Sequence, residues 1–352
     1  MRKGKRFTFN KCLVNMPTPR FVCVYVPLDC QLTVKKEEEV NAYQKLGVYN
    51  NVYYFSPCSG YILDCLPETD ERGNKVKAVI IQNDGHNQGN LMPPVENIND
   101  VRQRIFDAGL NEVFNGESFT LCATDDDYYI NNDNALIYSH KDMLLRALEL
   151  LKSFAEVNTS SKYLSKVLDV PYTDVGHKNI SVADLYNLCL ACDEGIPYIY
   201  KVITVSGESV KEPAVLRVAI GTEYGDMLDF CGGEVYPLTE FNKLYTSANE
   251  AYGNVLDLKD EYKNAVEPEK THIREELISI RKKSYALITE FLKAEKKYKK
   301  VLLDGLVYGD YATGVASEDF NNVVTYSAIG VLLLNKKQND KRKKRLKQSQ
   351  GS

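Results

Sequence analysis

The sequence predicts an α/β plus β fold assembled from several units, and three observations predict it. Residues 20–90 hold short runs of Val, Ile, Tyr and Phe broken by Pro, Gly and Asp, the pattern of a small all-β unit. Residues 91–245 alternate helical and strand-like patterns, as in an α/β region followed by a smaller α+β unit. Residues 246–300 are charged and helical, with a single break at EPEKT.

The elements follow in order. RFVCVYVPL alternates and is rich in valine. LDCQLTV, NVYYFS, YILDCL and VKAVIIQND come next, set apart by the turns KKEEE, PCSG and ETDERGN. NLMPPVENIND is a linker, because paired prolines resist both helix and central strand. NDVRQRIFDAG predicts a helix with Asn99 as N-cap and Gly109 as its stop. HKDMLLRALELLKSFAEV predicts an amphipathic helix, with Leu144, Leu145, Leu148, Leu151 and Phe154 at helical spacing. VADLYNLCLACDEG is a helix that ends before Gly195. YKVITVSG is a strand, and KEPAVLRVAIGTEYGDMLDFCGG gives strand, turn and helix. LVYGDYATG and VVTYSAIGVLLLN close the pattern with strands flanked by glycine turns.

The charged region predicts an antiparallel helical hairpin. TSANEAYGNVLDLKDEYKNAV is one helix and HIREELISIRKKSYALITEFLKAEKKYKK the other, with Pro268 in the break. Ile273, Leu277, Ile280, Ser284, Leu287 and Phe291 step by four and three, a narrow heptad-like seam. That seam serves equally for pairing within the hairpin and for docking a partner. The chain ends in a basic run, with eight of the twelve residues from Lys336 to Lys347 Lys or Arg. Such a block is normally solvated, and it also suits an anionic membrane surface.

Composition bounds the function classes. Hydrophobic content of 44% and charged content of 26% are those of a globular protein. A net charge of −4 gives no global attraction to nucleic acid, so a nucleic-acid partner is not expected. No apolar run approaches the roughly 20 residues of a membrane span. The basic N-terminus (Arg2, Lys3, Lys5, Arg6) lacks an apolar segment behind it, so a cytoplasmic location is expected. Nine cysteines, an odd number without regular spacing, argue against a disulfide framework. The pair Cys189 and Cys192 stands on a core-facing helix without a second CxxC, so two packed thiols outweigh a metal site. None of the four histidines is spaced for a helical zinc site. Asp125, Asp126, Asp127 and Asp133 could offer carboxylates to a cation, but without the spacing of a calcium loop; a solvated acidic turn is the expectation.

The order of these segments resembles the C subunit of Rnf-type electron-transport complexes. That family is related to the flavin-bearing subunit of complex I and to the A subunit of sodium-pumping quinone reductases. VPLDCQLTVKKEEEV with SPCSGYI and VKAVIIQNDG resembles the family's barrel-sandwich hybrid. YKVITVSGESVKEPAVLRVAIGTEYGDMLDFCGG resembles its β-grasp-like SLBB module. The resemblance implies a barrel-sandwich-hybrid-like domain at 1–90 and a reduced α/β flavin-type domain at 91–195. It further implies an SLBB module from 196–245 and 300–335, interrupted by the hairpin at 246–299 and followed by the basic tail at 336–352.

The departures from the family are chemical. Where the family has a Gly-rich flavin loop, this chain has Asn111 to Thr120, and only Gly116 and Phe119 match. Phe114 and Glu117 replace small residues; a Cβ blocks close backbone approach, and a carboxylate repels a phosphate. Asp125, Asp127 and Tyr129 match the family's two acids and tyrosine. No cysteine follows Cys231 in this sequence, so the family's paired four-cysteine runs for iron–sulfur clusters are missing from it.

The resulting expectation is a docking or scaffold subunit of an electron-transport assembly, peripheral to the membrane. No catalytic residue is expected, nor flavin, NADH, iron–sulfur cluster or metal. Gly116, Phe119, Asp125, Asp127 and Tyr129 are the vestigial cofactor positions, and the hairpin's Ile273, Leu277, Ile280, Leu287 and Phe291 are the candidate contact residues. The alternative is an oxidoreductase subunit that holds FMN or NADH through altered contacts.

Overall fold

The computed structural model describes residues 8, 11–70, 73–123, 129–173, 176–207, 210–233, 238–295, 299–302, 323–328 and 330–335. Asp125 and Asp127 therefore lie outside the described residues, as does the basic tail.

The chain enters through a strand that local pattern does not announce. β1 (Leu13–Asn15) is three residues long and lies parallel to a strand about 200 positions away, with Leu13 opposite Val215. The β-rich region then supplies β2 (Phe21–Pro27), β3 (Gln31–Leu32), β4 (Glu39–Val40), β5 (Lys45–Tyr49), β6 (Val52–Phe55), β7 (Gly60–Thr69) and β8 (Lys75–Asn83). They form two sheets, ordered β2-β8-β7-β4 and β3-β5-β6. The alternation of β2 explains its burial: Val22, Val24 and Val26 enter a core with Leu46, Ile62, Val79 and Ile81, while Cys23 and Tyr25 face the other way.

The linker segment, residues 90–100, is clamped rather than free. Met92 N–H donates to Gly195 O and Val95 N–H to Cys192 O. Arg104 is buried and donates to Ala191 O at 2.6 Å and to Pro93 O at 2.5 Å, tying this segment to the helix beyond. Gly195 has φ +70°, and a Cβ there would sit 1.8 Å from Met92 O. Only glycine satisfies both the left-handed turn and the close approach.

The middle of the chain is an α/β unit. It contains α1 (Val101–Asp107), β9 (Ser118–Cys122), α2 (Asn132–Lys152), β10 (Glu156–Asn158), α3 (Lys162–Leu168), β11 (Lys178–Ser181) and α4 (Val182–Cys189). A π turn, Leu190–Glu194, continues α4. The three strands are parallel, in the order β10-β9-β11. Two expectations change here. Asp100 rather than Asn99 holds the N-cap position of α1, and Asn99 lies within a 3-10 turn over Ile98–Asp100 that Asn97 caps by accepting Asn99 N–H. The amphipathic helix starts at Asn132, not near His140, and is broken at His140 (φ −139°, ψ 35°). The FAEV end of that segment leaves the helix and enters β10.

The last sheet is assembled from distant pieces. β12 (Tyr200–Ser206) pairs antiparallel with β13 (Ala214–Ala219), and α5 (Tyr224–Phe230) packs Tyr224, Met227 and Leu228 against Ile203, Val205, Leu216 and Val218. α6 (Leu238–Asn264) and α7 (Glu269–Glu295) then form the hairpin, and the chain returns as β14 (Lys299–Leu302) and β15 (Gly330–Asn335). The five strands order as β1-β13-β12-β15-β14, so the hairpin falls between strands of one sheet. Its first helix begins at Leu238, ahead of the expected start at Thr246. Its second ends at Glu295, and Lys299 and Lys300 already belong to β14.

The hairpin closes on itself. Ile273 and Ser284 are buried, and Leu277, Ile280 and Leu287 half-buried, so the seam of α7 faces α6. α6 answers with Leu244, Ala248, Ala251, Val255, Leu258 and Tyr262, also spaced by four and three. The seam residues named as partner contacts are thus occupied within the chain. Nothing is described of the Phe291 side chain.

Candidate functional site

The segment between α1 and β9 is packed by the chain's own side chains. Gly109, at φ +74°, ends α1, and a Cβ there would lie 2.4 Å from Tyr53 O, so the helix end is pressed onto β6. Asn111 donates to Asn51 O at 2.9 Å, a second tie to that sheet. Phe114 is buried and meets Phe119 edge to face, ring centroids 5.9 Å apart. Lys178, on β11, donates to Glu112 O and to Asn115 Oδ1 and so straps the segment from across the sheet. Burial holds the Lys178 ammonium below its usual pKa, opposed by Glu112 and Asp184.

The expected site residues divide accordingly. Gly116 does not adopt a positive φ, and a Cβ on it would touch the Phe119 ring at 3.4 Å. Phe119 is fully buried in the core of the α/β unit, and Tyr129 is buried. Neither Phe119 nor Tyr129 presents a surface to a ligand.

Beside this segment the parallel sheet builds a polar seam that sequence reading missed. Thr120 Oγ1 donates to Asn158 Oδ1 at 2.9 Å and accepts His177 N–H at 3.0 Å. Thr159 Oγ1 donates to Leu121 O at 2.6 Å. A groove of about 950 Å³ opens at the β10 edge, lined among others by Lys152, Asn158, Ser165, Asp169, Thr173 and His177. Its charges are mixed, with Glu156 and Asp169 opposing Lys152. The signal was available only in three dimensions, because the contributing strands are short.

A second polar cluster lies where the three units meet. Lys201, buried within β12, donates to Tyr326 O at 2.9 Å and to Tyr198 Oη at 3.3 Å. Tyr326 packs edge to face on both Tyr54 and Tyr198. Burial lowers the Lys201 pKa and raises those of Tyr198 and Tyr326 well above the usual phenol value. Lys201 and Tyr198 are buried and Tyr326 half-buried, so the cluster joins the units.

The cysteine pair is equally enclosed. Cys189 and Cys192 are buried, and burial pushes both thiols up to about 12. Cys189 also donates to Asp193. Among the described residues no group of three or more His, Cys, Asp or Glu is placed to hold a metal. No described helix is long and apolar enough to cross a membrane.

The β12–β13–α5 unit is the part that comparison identifies. It turns at Gly207 (φ +128°) and Gly221 (φ +92°), both pressed against neighbouring backbone. The SLBB domain family model matches residues 202–235, spanning β12, β13 and α5. The chain carries an SLBB domain. Two relatives extend the picture. Over 60 residues the chain is 43% identical to the C subunit of the proton-translocating ferredoxin:NAD(+) oxidoreductase complex from Clostridium ljungdahlii, covering 17% of this chain and 13% of that protein. Over 81 residues it is 35% identical to the C subunit of the ion-translocating oxidoreductase complex from Rhodobacter capsulatus, covering 21% of this chain and 16% of that protein. The resemblance to Rnf-type C subunits therefore holds, over a limited share of this chain and of each relative's length.

Proposed function

We propose that the protein is a docking or scaffold subunit associated with an electron-transport assembly, and that it has given up the cofactors of the C subunits it resembles. The observation that carries this reading is the filled segment before β9. Phe114 packs on Phe119, and Lys178 binds Glu112 and Asn115, where a nucleotide phosphate would require open backbone. The residues present do not fit a flavin phosphate there.

The finer architecture belongs to the same reading. The two N-terminal sheets form a barrel-sandwich hybrid, residues 91–195 are a reduced flavin-type domain, and the hairpin is an insertion into the SLBB module. The relatives are named as subunits of ion-translocating complexes, which supports a protein partner at a membrane. A second reading, an oxidoreductase subunit retaining FMN or NADH, draws on the groove beside Asn158 and His177.

Two measurements test the proposal together. Purified protein is expected to show no flavin absorbance, and affinity capture from its native cell is expected to retain subunits of an ion-translocating complex. A flavin spectrum that survives gel filtration would favour the second reading. Capture of no such subunit would remove the docking role.

A further inference from the structure

The hairpin is chemically two-sided, and this follows from its seam. In an antiparallel helix pair, residues one position after each seam residue project to the same side, because the 100° step turns in opposite senses as the two helices run opposite ways. On that side lie Tyr252 and Leu256 of α6 and Ile278 and Tyr285 of α7. They are 52%, 42%, 63% and 75% exposed. The antiparallel register set by the 265–268 turn places Leu256 level with Ile278, and Tyr252 between Ile278 and Tyr285. The four lie on one side of the hairpin, interleaved with other side chains.

The same side carries Lys259, Lys263, Arg274 and Arg281. From Asn249 to Lys263 and from Arg274 to Ile288 it carries no Asp or Glu. Lys263 also pairs with Asp260, which projects from the outer edge of α6. The opposite side carries five carboxylates, Glu250, Asp257, Glu261, Glu276 and Glu290, and three lysines, Lys243, Lys283 and Lys293. A chain of net charge −4 has thus gathered cations around four exposed apolar side chains.

We propose that this face lies flat on an anionic lipid surface, with Tyr252, Leu256, Ile278 and Tyr285 at headgroup depth and the four cations on lipid phosphates. Aromatic and aliphatic side chains interleaved with Lys and Arg are the composition of an interfacial face. Ala248, Val255, Ile273 and Ser284 fill the space between the helices, so the exposed side chains stand on the face rather than in a cavity between the helices. This inference deepens the docking reading by naming what the hairpin docks to, and it stands if the protein partner proves different.

The protein contains no tryptophan, so Tyr285→Trp in the full chain is a sole indole reporter. With phosphatidylcholine vesicles carrying phosphatidylserine, its emission is expected to shift to the blue. Pure phosphatidylcholine should leave it unchanged. Arg274→Glu with Arg281→Glu should lower vesicle partition at least about tenfold, and Ile278→Ser with Tyr252→Ser should lower it comparably. All four positions are exposed, and unchanged thermal melting confirms that each variant folds. The basic tail remains in every variant. If the double variants partition like the wild type, the tail carries the attraction and the proposal fails. It fails equally if the indole stays in water, or if its emission responds to a homopolymeric RNA and not to vesicles. Loss of lipid binding with retained capture of protein partners would separate this claim from the docking role.

Discussion

At the scale of single residues, Phe114 and Lys201 hold most of what is unusual about this chain. Phe114 fills space beside Phe119 that a small residue would leave open. Phe114→Ala should therefore destabilise the protein by about 3–5 kcal/mol, the usual cost of truncating a buried Phe. Urea denaturation followed by circular dichroism measures this, and a loss under about 1 kcal/mol would show that the ring is not packed in the core. Lys201 makes a pH-dependent prediction. Burial depresses its folded pKa below the unfolded value of 10.5. Its unfavourable contribution is absent above 10.5 and grows as pH falls towards the folded value. The stability of the wild type relative to Lys201→Met should rise as pH climbs towards 10.5. Other titrating groups cancel in that difference, and a flat difference would mean Lys201 is not held in a dry site. Phe114 was legible in the sequence because a bulky ring stood where a related loop is small. Lys201 was not, because an alternating strand read alone does not show that both of its faces are covered.

At the scale of elements, the hairpin and the β-rich region were readable, while the α/β unit was only partly so. The four-and-three spacing in α7 is strong and the structure places those residues on α6. Val255 is buried in that seam. Val255→Asp should cost about 3 kcal/mol or more by burying an unpaired charge. Far-UV circular dichroism should show an early loss of helix, and the SLBB sheet should melt later. Simultaneous melting of all signal would contradict a hairpin held mainly by its own seam. β10 and β11 escaped notice because three or four residues cannot display a period, and KNIS is polar. The first half of α2 escaped because buried Asn132 and Asp133 disguise a core helix as a loop. Asn131 and Asn132 are satisfied through Thr204, a long-range contact that local pattern does not encode. β1 was invisible for the same reason, since its meaning lies in a partner near residue 215.

At the scale of the molecule, the units are locked together rather than strung along linkers. Arg104 spans Pro93 and Ala191, Gly195 lets Met92 pass at van der Waals distance, and Tyr326 joins the β-rich core to Tyr198. Arg104→Met leaves two carbonyl acceptors without their donor and should cost about 2–4 kcal/mol. Limited proteolysis should then cut within 91–97, where the wild type resists; equal resistance would show that the clamp is not what holds this segment.

The filled segment before β9 is the claim on which the functional reading rests, and calorimetric titration of the purified chain with FMN and with NADH tests it most directly. The account predicts no saturable heat with either compound, and no change in amide exchange across 111–118. Saturable FMN binding accompanied by protection of Asn115 to Ser118 would contradict it, since those residues would then be yielding space that Phe114 and Lys178 occupy.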